Sequence, residues 1–180
     1  YYDKRYTAFH AHSFSEGSGT QNEHGIYLGT SWRPSRATLL RAYVDYIHFP
    51  WVRYQVSNSS DAFDGMLLAR TLLYIIVTLE GLYRFRLRQQ DNTNQSLLQN
   101  RYERRARLRM SIDPHPSLTL QTQVHAALVN SRTSNSRGIM LSQQAAWKHR
   151  WLQLNAMASW FHTDDYDSRL YQYEPSVRYD

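Results

Sequence analysis

Arg101-Tyr102-Glu103-Arg104-Arg105-Ala106-Arg107-Leu108-Arg109-Met110-Ser111-Ile112 is followed, after Asp113-Pro114-His115-Pro116-Ser117, by Leu118-Thr119-Leu120-Gln121-Thr122-Gln123-Val124-His125-Ala126-Ala127-Leu128. Successive residues of a strand point to opposite faces, so i, i+2 and i+4 share one face. In the first segment Tyr102, Arg104, Ala106, Leu108, Met110 and Ile112 oppose Arg101, Glu103, Arg105, Arg107, Arg109 and Ser111. In the second, Leu118, Leu120, Thr122, Val124, Ala126 and Leu128 oppose Thr119, Gln121, Gln123, His125, Ala127 and Val129. An apolar face backed by a charged one suits strands with lipid outside and water inside.

The same alternation recurs outward from this pair. Leu40, Ala42, Val44, Tyr46 and His48 oppose Leu39, Arg41, Tyr43, Asp45 and Ile47. Leu79, Gly81, Tyr83, Phe85 and Leu87 oppose Thr78, Glu80, Leu82, Arg84, Arg86 and Arg88. About ten strands are expected, at 4–15, 25–33, 38–50, 65–74, 78–90, 101–112, 117–130, 138–147, 151–162 and 168–178, most near the length of a tilted bilayer-crossing strand. Short turns near Arg33–Ala37, Ile75–Val77, Asp113–Ser117 and Lys148–Arg150 take turns with longer polar loops at 16–25, 57–65, 91–100, 131–138 and 163–167. Short periplasmic turns and long extracellular loops give a membrane barrel this asymmetry. Arg101–Met110 and Leu67–Leu79 also admit a helical reading, but their neighbours obey one β geometry.

Composition points the same way. The mean hydropathy is −0.65, yet the chain carries 14 Tyr and 5 Trp against 6 Phe, rings with polar tips that suit a membrane–water interface. They also suit base or sugar stacking. With no cysteine, disulfides, thiol nucleophiles and Cys-ligated metals are excluded. A net charge of +6 invites anionic partners: nucleic acid, anionic lipid or acidic polysaccharide. Tyr1-Tyr2-Asp3-Lys4-Arg5 reads as mid-strand and Pro175–Asp180 stops in mid-pattern, so the expectation is one barrel domain over 1–180 that is a piece of a longer barrel.

Catalytic signatures are absent: no phosphate-binding Gly-rich loop, no nucleophile elbow and no His-Glu-x-x-His sequence occurs. The expectation is a protein that is not an enzyme, with no cofactor and no metal. His10 and His12 share a strand face, but a zinc site needs three or four convergent ligands. Asp164, Asp165 and Asp167 lack the EF-hand spacing and read as a turn paired to Arg169. One constellation is sharp. Arg84, Arg86 and Arg88 share a face, as do Arg105, Arg107 and Arg109; if their strands pair across the 91–100 loop, six guanidiniums line one patch of wall. Glu80, Glu103 and Asp45 are the counter-charges at hand. Such a lumen favours anions or a phosphate backbone; a salt-bridged wall that closes a narrow barrel is the plainer alternative.

Phe161-His162-Thr163-Asp164-Asp165-Tyr166-Asp167-Ser168-Arg169-Leu170-Tyr171-Gln172-Tyr173-Glu174 resembles a late stretch in the barrel portion of Bacteroidota outer-membrane proteins that carry an N-terminal, ComEA-like helix-hairpin-helix region. Phe49-Pro50-Trp51-Val52-Arg53-Tyr54 and the Arg-rich hairpin at 84–109 are similar more loosely. The resemblance implies an outer-membrane barrel associated with DNA or another polymer crossing the envelope, and no catalytic residues. The helix-hairpin-helix region itself has no counterpart here, and Ile75–Val77 lacks the Pro/Ser/Asn turn chemistry expected there.

The expected function is therefore a channel or transport scaffold in a bacterial outer membrane, with Arg84, Arg86, Arg88, Arg105, Arg107 and Arg109 lining the lumen. Its expected partners are membrane lipid and lipopolysaccharide, an anionic polymer or nucleic acid as cargo, and periplasmic proteins. The alternative is a soluble basic β-protein that binds nucleic acid or polysaccharide through Arg and Tyr, with the faces led by Leu40 and Leu118 buried in a core.

Overall fold

A computed structural model describes Asp3 and residues 22–52, 54–91, 97–132 and 134–173. These contain eight strands: β1 (His24–Trp32), β2 (Thr38–Phe49), β3 (Ser60–Leu73), β4 (Val77–Asp91), β5 (Leu98–His115), β6 (Leu118–Asn130), β7 (Asn135–His149) and β8 (Leu152–Thr163). Each strand pairs antiparallel with the next in sequence, so the sheet is an eight-stranded meander in the order β1 to β8. β1 and β8 are its edges, and no pairing joins them among the described residues.

The all-β reading holds, with eight strands in place of about ten. The strand expected at 4–15, the pair His10/His12 and most of the 16–25 loop lie outside the described residues. The strand expected at 168–178 is absent over its described part: a one-turn 3-10 helix (Tyr166–Ser168) follows β8, and residues 169–173 have no regular structure. Neither segment with helical potential is helical: Arg101–Met110 lies within β5, and Leu67–Leu79 spans the end of β3, the β3–β4 turn and the start of β4.

The four short turns fall where the sequence places them. The polar loops are shorter than expected. Asp61–Gly65, read as loop from its Asp and Gly content, forms the first part of β3 in register with β2 and β4. Residues 135–138 belong to β7, and the remaining turn is tied by the Ser131 N–H to the Ser134 carbonyl at 2.8 Å. The β3–β4 turn forms without Pro, Ser or Asn, through Tyr74 in the left-handed region at φ 52°. Its Tyr74 and Ile75 are almost wholly exposed.

The two faces differ sharply. One carries Ile26, Leu28, Val44, Leu67, Tyr83, Leu108, Val124, Leu141 and Trp160, all substantially exposed. The other holds the buried residues Ile47, Phe49, Ala62, Asp64, Gln123, Ala127, Val129, Met140 and Ser142. Among the described residues a small apolar cluster, Ile47, Phe49 and Ala62, forms the core, and it sits toward the long-connection end of the covered face.

Registers compose into rows that cross the whole sheet. Trp32, Leu40, Ala69, Gly81, Leu108, Val124, Leu141 and Trp160 make one continuous row on the exposed face. The apolar band runs obliquely to these rows. On β1 it ends at Ile26, before His24; on β8 it ends at Trp160, before His162. His162 shares its row with Thr30, six residues from His24. The turn-side edge drifts in the same sense, from Leu40 on β2 to Leu154 on β8, three rows lower.

Candidate functional site

The strongest concentration of charge lies on the covered face of β2 to β5. The β4–β5 register sets Arg84 opposite Arg105, Leu82 opposite Arg107, Glu80 opposite Arg109, Arg86 opposite Glu103 and Arg88 opposite Arg101. All six arginines expected from the sequence therefore share one face, joined by Arg101. Guanidiniums stacked this closely repel unless carboxylates intervene.

Three carboxylates do so. Asp64, on β3 and 5% exposed, accepts from Arg84 Nε at 3.0 Å and from Arg86 Nε at 2.8 Å. The Tyr43 hydroxyl donates to the same carboxylate at 3.3 Å. Glu80 accepts from Arg107 Nη2 at 3.0 Å and lies 3.8 Å from Arg109 Nη1. Glu103 pairs with Arg105 two residues along its own strand. Arg88 is half-buried within electrostatic reach of Glu103 and Arg101.

Asp64 is the residue that sequence reading misses, and Asp45 was named in its place. The reason is local: the Asp and Gly of Asp61–Gly65 signalled a loop, which removed Asp64 from any face. The alternation Ala62, Asp64, Met66, Leu68 was the available signal, since it extends the covered face of β3 by two residues.

Positive charge exceeds negative on this wall, and donors are left over. The Nε groups of Arg107 and Arg109 are buried with no hydrogen-bond partner among the described residues. Arg109 Nη2 reaches Gln123 Oε1 at 3.4 Å, and the same oxygen lies 3.2 Å from His125 Nε2. Arg84, Arg86, Glu103 and Arg105 line a cavity of about 100 Å³. A guanidinium offers a fork of donors matched to carboxylate or phosphate oxygens, so the wall can hold an anionic group. Among the described residues no cluster of three or more His, Asp or Glu is placed to hold a metal.

A second structural unit closes over the same face from β8. Asp165 caps the 3-10 helix, accepting from the Asp167 N–H at 2.8 Å and from the Ser136 hydroxyl at 2.6 Å. These bonds hold the Asp165 carboxyl below the usual carboxylate range. The Ser168 hydroxyl donates to the Arg137 carbonyl at 2.9 Å. Asp167 reaches across to Arg101 on β5, at 3.1 Å. The acidic run is thus a structural turn, as its composition suggests, but its ion-pair partner is Arg101; Arg169 instead lies 3.7 Å over the Tyr166 ring. Beyond it, Gln172 Nε2 contacts Met157 Sδ at 3.6 Å, so the strap continues along the covered face of β8.

No family model, curated protein or solved structure matches this chain.

Proposed function

We propose that this chain is part of a transmembrane antiparallel β-barrel in a bacterial outer membrane, a channel or transport scaffold whose Arg-rich interior accepts anionic or polymeric cargo. One observation carries the reading: the exposed face is an apolar band with polar edges, and the covered face carries the Arg–carboxylate network of β3 to β5. In water that arrangement is inverted, since each fully buried Leu, Val or Phe side chain contributes roughly 1.5–3 kcal/mol. The soluble alternative requires another layer over this face, and the described residues supply none.

The far edge of the band lies in one row from His24 through His48 and Asp61 to Gln89, then drops six residues between β4 and β8. Tilted strands give a band edge that crosses rows in this way.

Lipid supplies no hydrogen bonds, so the reading requires the edges of β1 and β8 to be paired, with each other or through further strands. The turns after β1, β3, β5 and β7 are assigned to the periplasmic side by their brevity. The exposed Tyr74 and Ile75 suit contact with lipid or a periplasmic protein there. The resemblance at 161–174 accords with an envelope location, and its described residues end β8 and build the strap.

Planar-bilayer recordings across a KCl gradient test the transport part. The expected reversal potential is that of an anion-selective pathway, reduced in R84Q/R105Q. Cation selectivity, or inserted protein with no conductance and no retention of anionic polymer, contradicts it.

A further inference from the structure

We infer that the outer wall of β5–β7 carries a binding site for the phosphate groups of a membrane lipid, built around Arg104 and Arg137 with Arg132 above them. This inference rests on the membrane reading given above. Arg104 and Arg137 both point to the exposed face and flank Leu128, since Arg104 pairs with Leu128 and Leu128 with Arg137. Two strand spacings of about 4.8 Å put their Cα atoms about 10 Å apart, close enough for both side chains to converge on one phosphate. All three arginines are exposed, and none has a side-chain hydrogen bond or ion pair among the described residues.

Their level in the band decides the partner. The apolar band ends at Ala106 on β5 and at Ile139 on β7, and Arg104 and Arg137 occupy the next outward position on each strand. A guanidinium there stands at headgroup height, where its cost is about 0–1 kcal/mol against roughly 2–4 at mid-bilayer. Above them Asn130 Nδ2 donates to Asn135 Oδ1 at 2.9 Å, which adds neutral donors and acceptors of the kind a phosphosugar needs. Beside them opens a cavity of about 480 Å³ whose lining includes Tyr102, Asn130 and Arg132.

The border elsewhere is of another kind. On β1 to β4 the edge of the band is His24, His48, Asp61 and Gln89, and Asp61 accepts from both Tyr46 at 2.7 Å and His48 at 2.8 Å. Among the described residues, unpaired cationic charge at this border is confined to β5–β7. Asp164, the nearby carboxylate, takes the Arg137 backbone N–H at 3.0 Å and lies 3.8 Å from His162, which leaves the Arg137 guanidinium outward. Arginine forks and phosphate oxygens match bidentately, and the bond strengthens at the edge of a low-dielectric phase.

The test uses the full chain in phosphatidylcholine nanodiscs doped with bis-phosphorylated lipid A, with bound lipid counted by native mass spectrometry. Wild-type protein is expected to retain lipid A in preference to its dephosphorylated form. R104Q/R137Q is expected to lose that preference by about tenfold, while R36Q/R150Q, at the opposite end of the strands, keeps it. Equal retention by R104Q/R137Q, or equal retention of the dephosphorylated lipid, overturns the site. Displacement of lipid A by millimolar inorganic phosphate assigns the arginines to free anions and also overturns it. Failure of the wild type to enter nanodiscs, read by protease protection before any lipid is counted, condemns the membrane reading itself.

Discussion

Arg107 and Leu108 are bonded neighbours that face opposite worlds: Arg107 donates to Glu80 at 3.0 Å on the covered face, and Leu108 is 51% exposed on the other. The pleat makes this inevitable for any two consecutive strand residues. What it does not dictate is which of the two is covered. Here it is the charged one, and the same holds along β4 and β5 for Glu80, Arg84, Arg86, Glu103, Arg105 and Arg109. On the membrane reading proposed above, lipid around the apolar face accounts for this inversion.

An arginine on the band should cost according to depth. V124R is expected to destabilise vesicle-inserted protein by about 2–4 kcal/mol, and L128R, near the border, by about 0–1. Urea titration of protein in vesicles, followed by Trp fluorescence, reads both. Equal costs at the two positions contradict the depth assignment.

Removing Asp64 leaves Arg84 and Arg86 without their shared acceptor. Breaking a buried charge pair costs about 3–5 kcal/mol, so D64A should unfold at markedly lower urea. D64N keeps one carbonyl oxygen and should lose less. A neutral D64A contradicts the role given to this carboxylate.

Gly138 lies under the strap, where a Cβ would meet the Ser168 carbonyl oxygen at 2.3 Å, a backbone atom with little room to yield. G138A should therefore lift the strap, at about 1–3 kcal/mol for an overpacked site. Limited proteolysis is expected to cut within residues 166–173 in G138A faster than in wild type. Unchanged protection would show that the strap is held without this contact.

The strap should also loosen in acid. The folded Asp165 carboxyl is held below its ordinary range, so its contribution is fully present above the unfolded pKa and is lost as pH falls through the lower folded value. Hydrogen exchange at the Asp167 amide should accelerate over that interval, beyond the intrinsic pH trend. D165N should remove the dependence. An Asp167 amide whose protection ignores pH in wild type contradicts the cap.

Much of the fold was legible because alternation is a strong signal when eight neighbours repeat it. The four tight turns were found by the interruption of that alternation, even at Tyr74–Ile76, where turn chemistry is absent. Polar loops were overestimated because Asp, Ser, Asn and Gly signal turns in a strand whose covered face is itself polar; Asp64 and Ser136 carry loop-like residue types at strand positions. The six arginines were visible as a ladder from spacing alone. Their division among Asp64, Glu80 and Glu103 depends on register across three strands, which a single strand's pattern does not encode. The same holds for Asp167 and Arg101, joined only because the strap turns back across β6 and β7.

The most direct measurement exploits the absence of cysteine. Nitroxide labels at single cysteines introduced along 121–128 in vesicle-inserted protein report collisions with lipid-soluble oxygen and with an aqueous nickel chelate. Positions 122, 124, 126 and 128 are predicted to favour oxygen, highest near 124, and 121, 123, 125 and 127 to show no such preference. Loss of that alternation, or preferential chelate access at 124, would contradict the lipid-facing band and with it the membrane reading.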